Sequence, residues 1–246
     1  MNPGAILKTL GPIDAKTIRR DSFLRWFLFI PLLLGAGLYW GLPALSQWLL
    51  GEHDFDLAPY HTLIVSYLVV LMVPLILGQV LGFVLLDERD DGTLRALLVT
   101  PMSIEGYLAY RIGLPLLGSS VIAVAVLVLA NLAPLPWYQL GPIALLYAIE
   151  TPIMTLLMAG LCENKVQGFA FSKTVGNVLL IPVAAYFVDP PWQYLAGVFP
   201  TFWPLKAFWL ASEGAPGYWT TIAVGLAVHV AVLAWLVKRF NRNIRR

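Results

Sequence analysis

The sequence predicts an all-α integral membrane protein with six transmembrane helices and both termini on the cytoplasmic side. Hydrophobic residues make up 59% of its 246 residues and charged residues only 12%, against about 25% charged residues in a soluble domain. Charge-free segments also occupy 26–51, 57–86, 112–149 and 214–237. Each of these segments is long enough to span, because crossing the hydrocarbon takes about 20 helical residues.

The 112–149 segment is long enough for two helices. A cluster of Asn, Pro and Gly between 131 and 142 supplies the break between them. A further helix fits 167–188. The predicted transmembrane helices are therefore 23–46, 61–86, 107–130, 141–161, 167–188 and 218–237.

The distribution of cations predicts the orientation. Lys and Arg gather before the first predicted helix, around the loop after the second, around the loop after the fourth, and in the tail. Loops on the other side hold Glu52, Asp54, Asp56, Asp189 and Glu213, with Lys206 as their cation. Because Lys and Arg accumulate in cytoplasmic loops, both termini are predicted to be cytoplasmic.

The segment 1–22 precedes the first membrane helix and allows two interpretations. Pro12 can open a helix, and Asp14 would then lie favourably in its first turn. Basic side chains on this helix would reach anionic lipid headgroups. The alternative is a disordered basic arm that only sets the topology. The single Cys162 excludes an intramolecular disulfide and a cysteine metal cluster.

The external segment 189–217 is rich in aromatic residues and proline. It is too short and too interrupted to cross the membrane, so we predict a short re-entrant hairpin before the last helix. Two roles remain open. The rings can anchor the hairpin at the membrane interface, or the hairpin can form a lid or release site for a substrate.

The loop 87–105 carries closely spaced charges and then an amphipathic stretch. Gly92 permits a sharp exit from the second helix, and Thr93 can cap a short helix. Leu94, Leu97 and Leu98 form its apolar side, and Pro101 ends it. Such a stiff element predicts a cytosolic coupling helix on which a soluble partner docks. The alternative is an ordinary, well-capped loop.

This loop resembles the signature loop of ABC transporter permeases of the type-2 exporter family. The matching residues are Glu88, Arg89, Gly92, Thr93, Leu94, Leu97, Leu98, Thr100, Pro101 and Ser103. Arg95 departs from the pattern, because many members carry an acid there. The six-helix plan is similar along nearly the whole chain, which makes 1–246 one permease domain. Within the family, residues 163–170 and 200–203 resemble the small bacterial drug (fluoroquinolone-type) export permeases.

The resemblance implies a subunit of an exporter in the cytoplasmic (inner) membrane of a prokaryote. It also implies two copies of a separate ATPase subunit and a second permease chain, with a homodimer expected. No phosphate-binding loop of the type GxxxxGK[ST] occurs in this sequence. ATP and Mg²⁺ are therefore expected on the partner ATPase, with no cofactor in this chain.

Four polar residues within the predicted helices are candidates for the substrate pathway. They are Glu150, His229, Asn177 and Gln79. Ionisable groups inside a membrane usually face a cavity or pair with each other. Glu150 is expected to face the pathway, where it contacts a cationic or zwitterionic substrate, or to pair with His229. The alternative for Glu150 is a protonated, structural hydrogen bond, and interhelical hydrogen bonds are the alternative for Gln79 and Asn177.

No catalytic, metal-binding or nucleic-acid-binding function is predicted. The external His53, Asp54, Asp56 and His61 group could bind a cation, but a solvated connector explains it more simply. The leading function is the permease subunit of an ATP-driven exporter of a small hydrophobic or amphipathic compound. The alternatives are an ATP-independent channel or intramembrane assembly protein, or a same-family transporter of lipid, polysaccharide, haem or sodium.

Overall fold

A computed structural model of the chain describes residues 3–92, 104–130 and 135–244. Within these ranges the chain consists of helices and turns without a strand. Six helices are long and apolar enough to cross a membrane, which confirms the predicted fold class. Most of the predicted coupling helix lies outside the described residues, including Thr93, Leu94, Leu97, Leu98, Thr100, Pro101 and Ser103.

A helix α1 precedes the six long helices, and a short helix α7 lies before the last of them. The bounds are α1 Pro3–Arg20, α2 Ser22–His53, α3 Ala58–Asp90, α4 Ile104–Ala130, α5 Trp137–Leu161, α6 Lys165–Phe187, α7 Phe202–Glu213 and α8 Tyr218–Ile244. Two of these helices widen into a π-helical turn, α2 at Gly37–Gly41 and α3 at Ser66–Leu71. The long helices match the predicted spans, and several extend further at their polar ends.

Helix α5 is the centre of the bundle. In its most apolar window 83% of the residues are buried, against 22% in α6 and in α8. Helix α3 approaches it closely at Gly78, where an added Cβ would lie 2.7 Å from the Thr151 carbonyl oxygen. The Thr155 hydroxyl donates to the Gly78 carbonyl oxygen at 3.0 Å. Small residues allow this kind of close contact between helices in membranes.

The expectation that Pro12 opens helix α1 is wrong. The helix already begins at Pro3, and Pro12 lies inside it. Asp14 is consequently not in the first turn but is buried against α4. Leu10 packs in one cluster with Tyr107 and Phe240, which places α1, the start of α4 and the end of α8 together. We call this the basic end of the bundle.

The hairpin 189–217 lies at the opposite end. It contains a 3-10 helix, Trp192–Val198, followed by α7. Phe202, Phe208 and Trp209 are buried within the protein, and the Trp209 indole N–H donates to the Ser66 hydroxyl at 2.8 Å. These three rings therefore serve the core rather than an interfacial belt. Trp192 is exposed and remains available for that role.

Asp21 joins α2 to α6. Its carboxylate caps α2 by accepting from the Phe23 and Leu24 N–H groups at 2.9 and 3.3 Å, and it lies 2.7 Å from Lys165 Nζ. Burial alone would raise the pKa of Asp21. The hydrogen bond from Lys165 and those from the Leu24 and Phe23 N–H groups outweigh burial and lower this pKa below its ordinary value.

Asp21→Ala is expected to lower the free energy of unfolding by about 1 kcal/mol at neutral pH, the usual cost of losing a helix cap. The pKa of Asp21 is lower in the folded state, so its stabilisation is complete above about pH 4 and disappears as the pH falls through the folded-state pKa. Thermal unfolding in detergent, followed by tryptophan fluorescence at several pH values, measures this difference. Glu52→Ala, at an exposed site, is the control, and equal stability of the two variants at pH 7 would contradict the prediction.

Candidate functional site

An apolar cavity of about 330 Å³ lies among α3, α5, α6, α8 and the segment that leads into α7. Its wall includes Leu75, Met154, Leu179 and Val232. Residues 198–201 of the external hairpin form one side of the wall. The volume is at the lower end of the about 300–1,000 Å³ typical of small-molecule sites.

Glu150 is the one ionisable residue among the described residues that line this cavity. It is 2% exposed, and neither carboxylate oxygen has a hydrogen-bond partner in the described part of the chain. The Thr201 hydroxyl, on the hairpin side of the same cavity, is also buried without a partner there. Buried polar groups are costly unless they are paired. Glu150 and Thr201 therefore place unpaired polar groups at the wall of an otherwise apolar cavity.

His229 stands beside Glu150 on α8. Its Nε2 atom lies 3.6 Å from Glu150 Oε1, which is slightly beyond hydrogen-bond distance. Its Nδ1 atom lies 2.7 Å from the Gly225 carbonyl oxygen. Gly225 also makes room for the hairpin, because a Cβ there would lie 2.8 Å from Trp203 Cβ. The structure thus brings together the first two of the four residues predicted for the pathway.

The other two candidates lie elsewhere. Gln79 is half-buried on α3 and Asn177 is exposed on α6. Neither lines the cavity, and neither side chain forms a hydrogen bond with another described residue. Their predicted part in the pathway remains a prediction that the geometry of this cavity does not support.

A second cluster surrounds Arg111 at the basic end. The guanidinium is 3% exposed, lies 2.7 Å from Asp14 Oδ2 and forms an ion pair with Glu88. Two tyrosine hydroxyls complete the cluster, because Tyr107 donates to Glu88 Oε2 and Tyr110 donates to Asp14 Oδ2, each at 2.7 Å. One buried cation therefore connects α1, α3 and α4.

The remaining charges of the last turn of α3 contact the end of α5 and the start of α6. Arg89 donates to the Cys162 and Ala159 carbonyl oxygens at 2.7 Å. These hydrogen bonds provide partners for carbonyl groups at the end of α5, where the helix itself supplies none. Asp87 lies 3.0 Å from Lys165 Nζ, and the same ammonium group binds Asp21 on the α2 side. We call this set of eight charged residues the ionic belt. Its members are Asp14, Asp21, Asp87, Glu88, Arg89, Asp90, Arg111 and Lys165.

Two members of the belt also belong to the loop predicted to couple to an ATPase, a role that stays a prediction. Glu88 and Arg89 are both engaged within the chain. They therefore position the base of the 87–105 loop. Gly92 has a φ of +70°, a backbone conformation that glycine adopts readily. The ion pair between Asp14 and Arg111 was not predicted. The sequence feature that could have indicated it is the position of both charges next to the ends of long apolar segments.

The sequence matches the model of a family described as fluoroquinolones export permease protein Rv2686c-like, over residues 14–237. The chain belongs to this family. Two relatives are 29% identical to it over 238 residues, which is 96% of this chain and 94% of each relative. They are the fluoroquinolones export permease proteins MT2760 and Rv2686c, from the CDC 1551 / Oshkosh and H37Rv strains of Mycobacterium tuberculosis. No solved structure matches.

Membership of the Rv2686c-like family confirms the resemblance to drug export permeases that the sequence indicated. The matched range includes both the cavity and the whole ionic belt. Within the described ranges, this Rv2686c-like permease has no group of three or more His, Cys, Asp or Glu that could hold a metal ion. His61, in the external group considered above, instead forms a hydrogen bond with the Ser46 hydroxyl at 2.8 Å.

Proposed function

We propose that this chain is the membrane-spanning subunit of an ATP-driven exporter for hydrophobic, ring-containing drugs of the fluoroquinolone type. ATP and Mg²⁺ bind to a separate ATPase subunit, which docks on the 87–105 loop at the cytoplasmic side. Two permease chains and two ATPase subunits form the transporter in the inner membrane of a prokaryote. Twofold pairing of identical chains is the commonest way to build such an assembly.

The ionic belt is the observation that carries this proposal. A docking loop has to transmit a rigid-body motion to the helices, which requires a stiff connection. Consecutive residues Asp87, Glu88 and Arg89 begin the 87–105 loop and contact α6, α4 and α5. Force applied to the loop therefore reaches several membrane helices at once. A channel without an ATPase has no need for such a connection.

The cavity supports the cargo class. Apart from Glu150 and Thr201 its described lining is apolar, which suits an aromatic ring system. Fluoroquinolones are the compounds named for the two relatives. Residues 198–201 form part of the cavity wall, which supports the lid role for 189–217 over that of an anchor alone. Lipid, polysaccharide, haem and sodium are less well matched by a cavity of this size and character.

Loop variants are expected to release the ATPase from an otherwise intact permease. The tagged chain is purified from its native membrane in mild detergent, and co-purifying proteins are identified by mass spectrometry. An ATPase subunit is expected with the wild-type protein and is lost with Leu97→Asp, which puts a charge on the side of the loop that the sequence predicts to be apolar. Gly92→Pro is expected to act in the same way, because proline cannot adopt a positive φ.

Leu195→Asp is the matched control, since Leu195 is 70% exposed on the hairpin at the opposite end. This variant should retain the ATPase. Monodisperse wild-type protein that repeatedly lacks an ATPase would favour an ATP-independent channel or assembly protein. Cells that express the complete transporter should also accumulate several-fold less fluoroquinolone than cells that express Leu97→Asp.

A further inference from the structure

We propose that Glu150 and His229 together hold one proton and release it when the cavity takes up the protonated amine of a substrate. This inference rests on the proposed function, because it assigns the chemical class that the export cavity recognises. It makes Glu150 a specificity-determining residue and His229 the residue that positions its proton.

The hydrogen-bond geometry fixes the number of protons. The Gly225 carbonyl oxygen can only accept, so His229 Nδ1 is the donor in their 2.7 Å contact. In neutral His229 the Nε2 atom then carries a lone pair and faces Glu150 Oε1 at 3.6 Å. Two acceptors would face each other if the acid were also ionised. A proton on one of the two groups removes this repulsion.

The apolar surroundings favour the state with one proton. With no proton the pair would carry a net negative charge, and with two protons a net positive charge. An uncompensated charge is costly at a site where Glu150 is 2% exposed and His229 is fully buried. With one proton the pair is neutral overall, whether as a carboxylic acid beside imidazole or as a carboxylate beside imidazolium.

No other described residue at the cavity can hold this proton or give it up. The lining from α3, α6 and the hairpin contains no acid or base. On α5 the nearest ionisable neighbour is Tyr147, whose hydroxyl donates to the Ser119 and Ser120 carbonyl oxygens of α4. On α7, Lys206 lies over the Tyr194 ring, 5.9 Å from its centroid. Within the described chain, His229 is the ionic partner of Glu150.

An ammonium group matches the unpaired atoms in the cavity. A protonated secondary amine, such as the piperazine of a fluoroquinolone, offers two N–H donors and no acceptor, and both Glu150 oxygens and the Thr201 hydroxyl lack partners in the described chain. If the pair kept its proton, ligand and site together would carry a net positive charge. Release of that proton leaves an ammonium beside a carboxylate and a neutral imidazole. One cation enters and one proton leaves, so the net charge of the cavity is unchanged.

The test compares two probes that differ at one nitrogen. One is the methyl ester of a fluoroquinolone with a free, basic piperazine amine, which is a cation because its carboxyl group is esterified. The other is the same ester acetylated at that nitrogen, which removes its basicity and leaves it uncharged. Binding to the purified complex of permease and ATPase is measured by calorimetry at one pH in two buffers with different ionisation enthalpies. We expect about one proton released per amine bound and none for the acetylated compound. Affinity for the amine should rise about tenfold per pH unit while the amine stays protonated.

Glu150→Gln is expected to abolish the proton release and the preference for the amine, with binding of the acetylated probe retained. Glu213→Gln makes the same chemical change at an exposed site and should behave like the wild type. If Glu150→Gln does not fold, the two-buffer measurement on the wild type still decides. Equal binding of both probes without proton release would overturn the inference and leave the exporter proposal standing. Binding of neither probe would overturn both the inference and the proposed cargo, while co-purification tests the ATPase independently.

Discussion

Replacing Arg111 with methionine is expected to abolish accumulation of the folded protein. Methionine has a similar length but leaves Asp14 and Glu88 facing each other without the cation that joins them. Asp14 is 5% exposed, so its charge cannot be taken up by solvent. Removing one partner of a buried ion pair typically costs about 3–5 kcal/mol, which is a large part of a total stability of about 5–15 kcal/mol.

The amount of monodisperse protein after detergent extraction and its thermal unfolding midpoint measure this effect. Arg19→Met is the matched control, because Arg19 is exposed on α1. Combining Arg111→Met with Asp14→Asn and Glu88→Gln should recover part of the loss, since no buried charge is then left unpaired. Arg111→Met protein with the yield and unfolding midpoint of the Arg19→Met control would contradict a stabilising role for the ionic belt.

Gly78→Leu is expected to separate α3 from α5 and to destabilise the protein by several kcal/mol. Even a Cβ atom at this position would lie 2.7 Å from Met154 Cβ and from the Thr151 carbonyl oxygen. Backbone atoms on α5 cannot turn away as a side chain can. Extra carbon atoms in a packed interior usually cost about 1–3 kcal/mol, and here the hydrogen bond from Thr155 to Gly78 is also lost.

Gly118→Leu provides the comparison for this variant. Gly118 is exposed on α4, and an added Cβ there would meet nothing within 4 Å. We expect the unfolding midpoint of Gly118→Leu to stay near that of the wild type and that of Gly78→Leu to fall by many degrees. Similar midpoints for the two leucine variants would show that the close approach of α3 and α5 contributes little to stability.

The six membrane helices were predictable because the hydrocarbon imposes length and apolarity on each helix separately. The helical state of α1 was less predictable, since it depends on burial of Leu10 and Asp14 against other helices. Orientation across the membrane remains a prediction from the positions of Lys and Arg. The cavity residue Glu150 was identifiable because an acid inside an apolar segment is costly wherever the segment packs.

Pairings between helices were not predictable from one sequence. Asp14 and Arg111 are 97 positions apart, and nothing in local spacing indicates which acid meets which cation. Glu88 and Arg89 were assigned to an ATPase-coupling loop through the family resemblance, and that role stays a prediction. Their contacts within the chain, with Arg111 and with carbonyl groups at the end of α5, could not be read from the local sequence.

The four charged residues at the end of α3 restrict how many residues can separate them from Gly78. Each step along a helix turns the side chain by about 100°, so Glu88 points to Arg111 on α4 and Arg89 to the end of α5. Asp87 and Asp90, three positions apart, both contact Lys165 at the start of α6. Gly78 faces α5 on the same continuous helix. Adding or deleting one residue between Gly78 and Asp87 would rotate all four contacts relative to the glycine face. The number of residues between Gly78 and Asp87 is therefore fixed, because the glycine and the charged residues must each face their own partners.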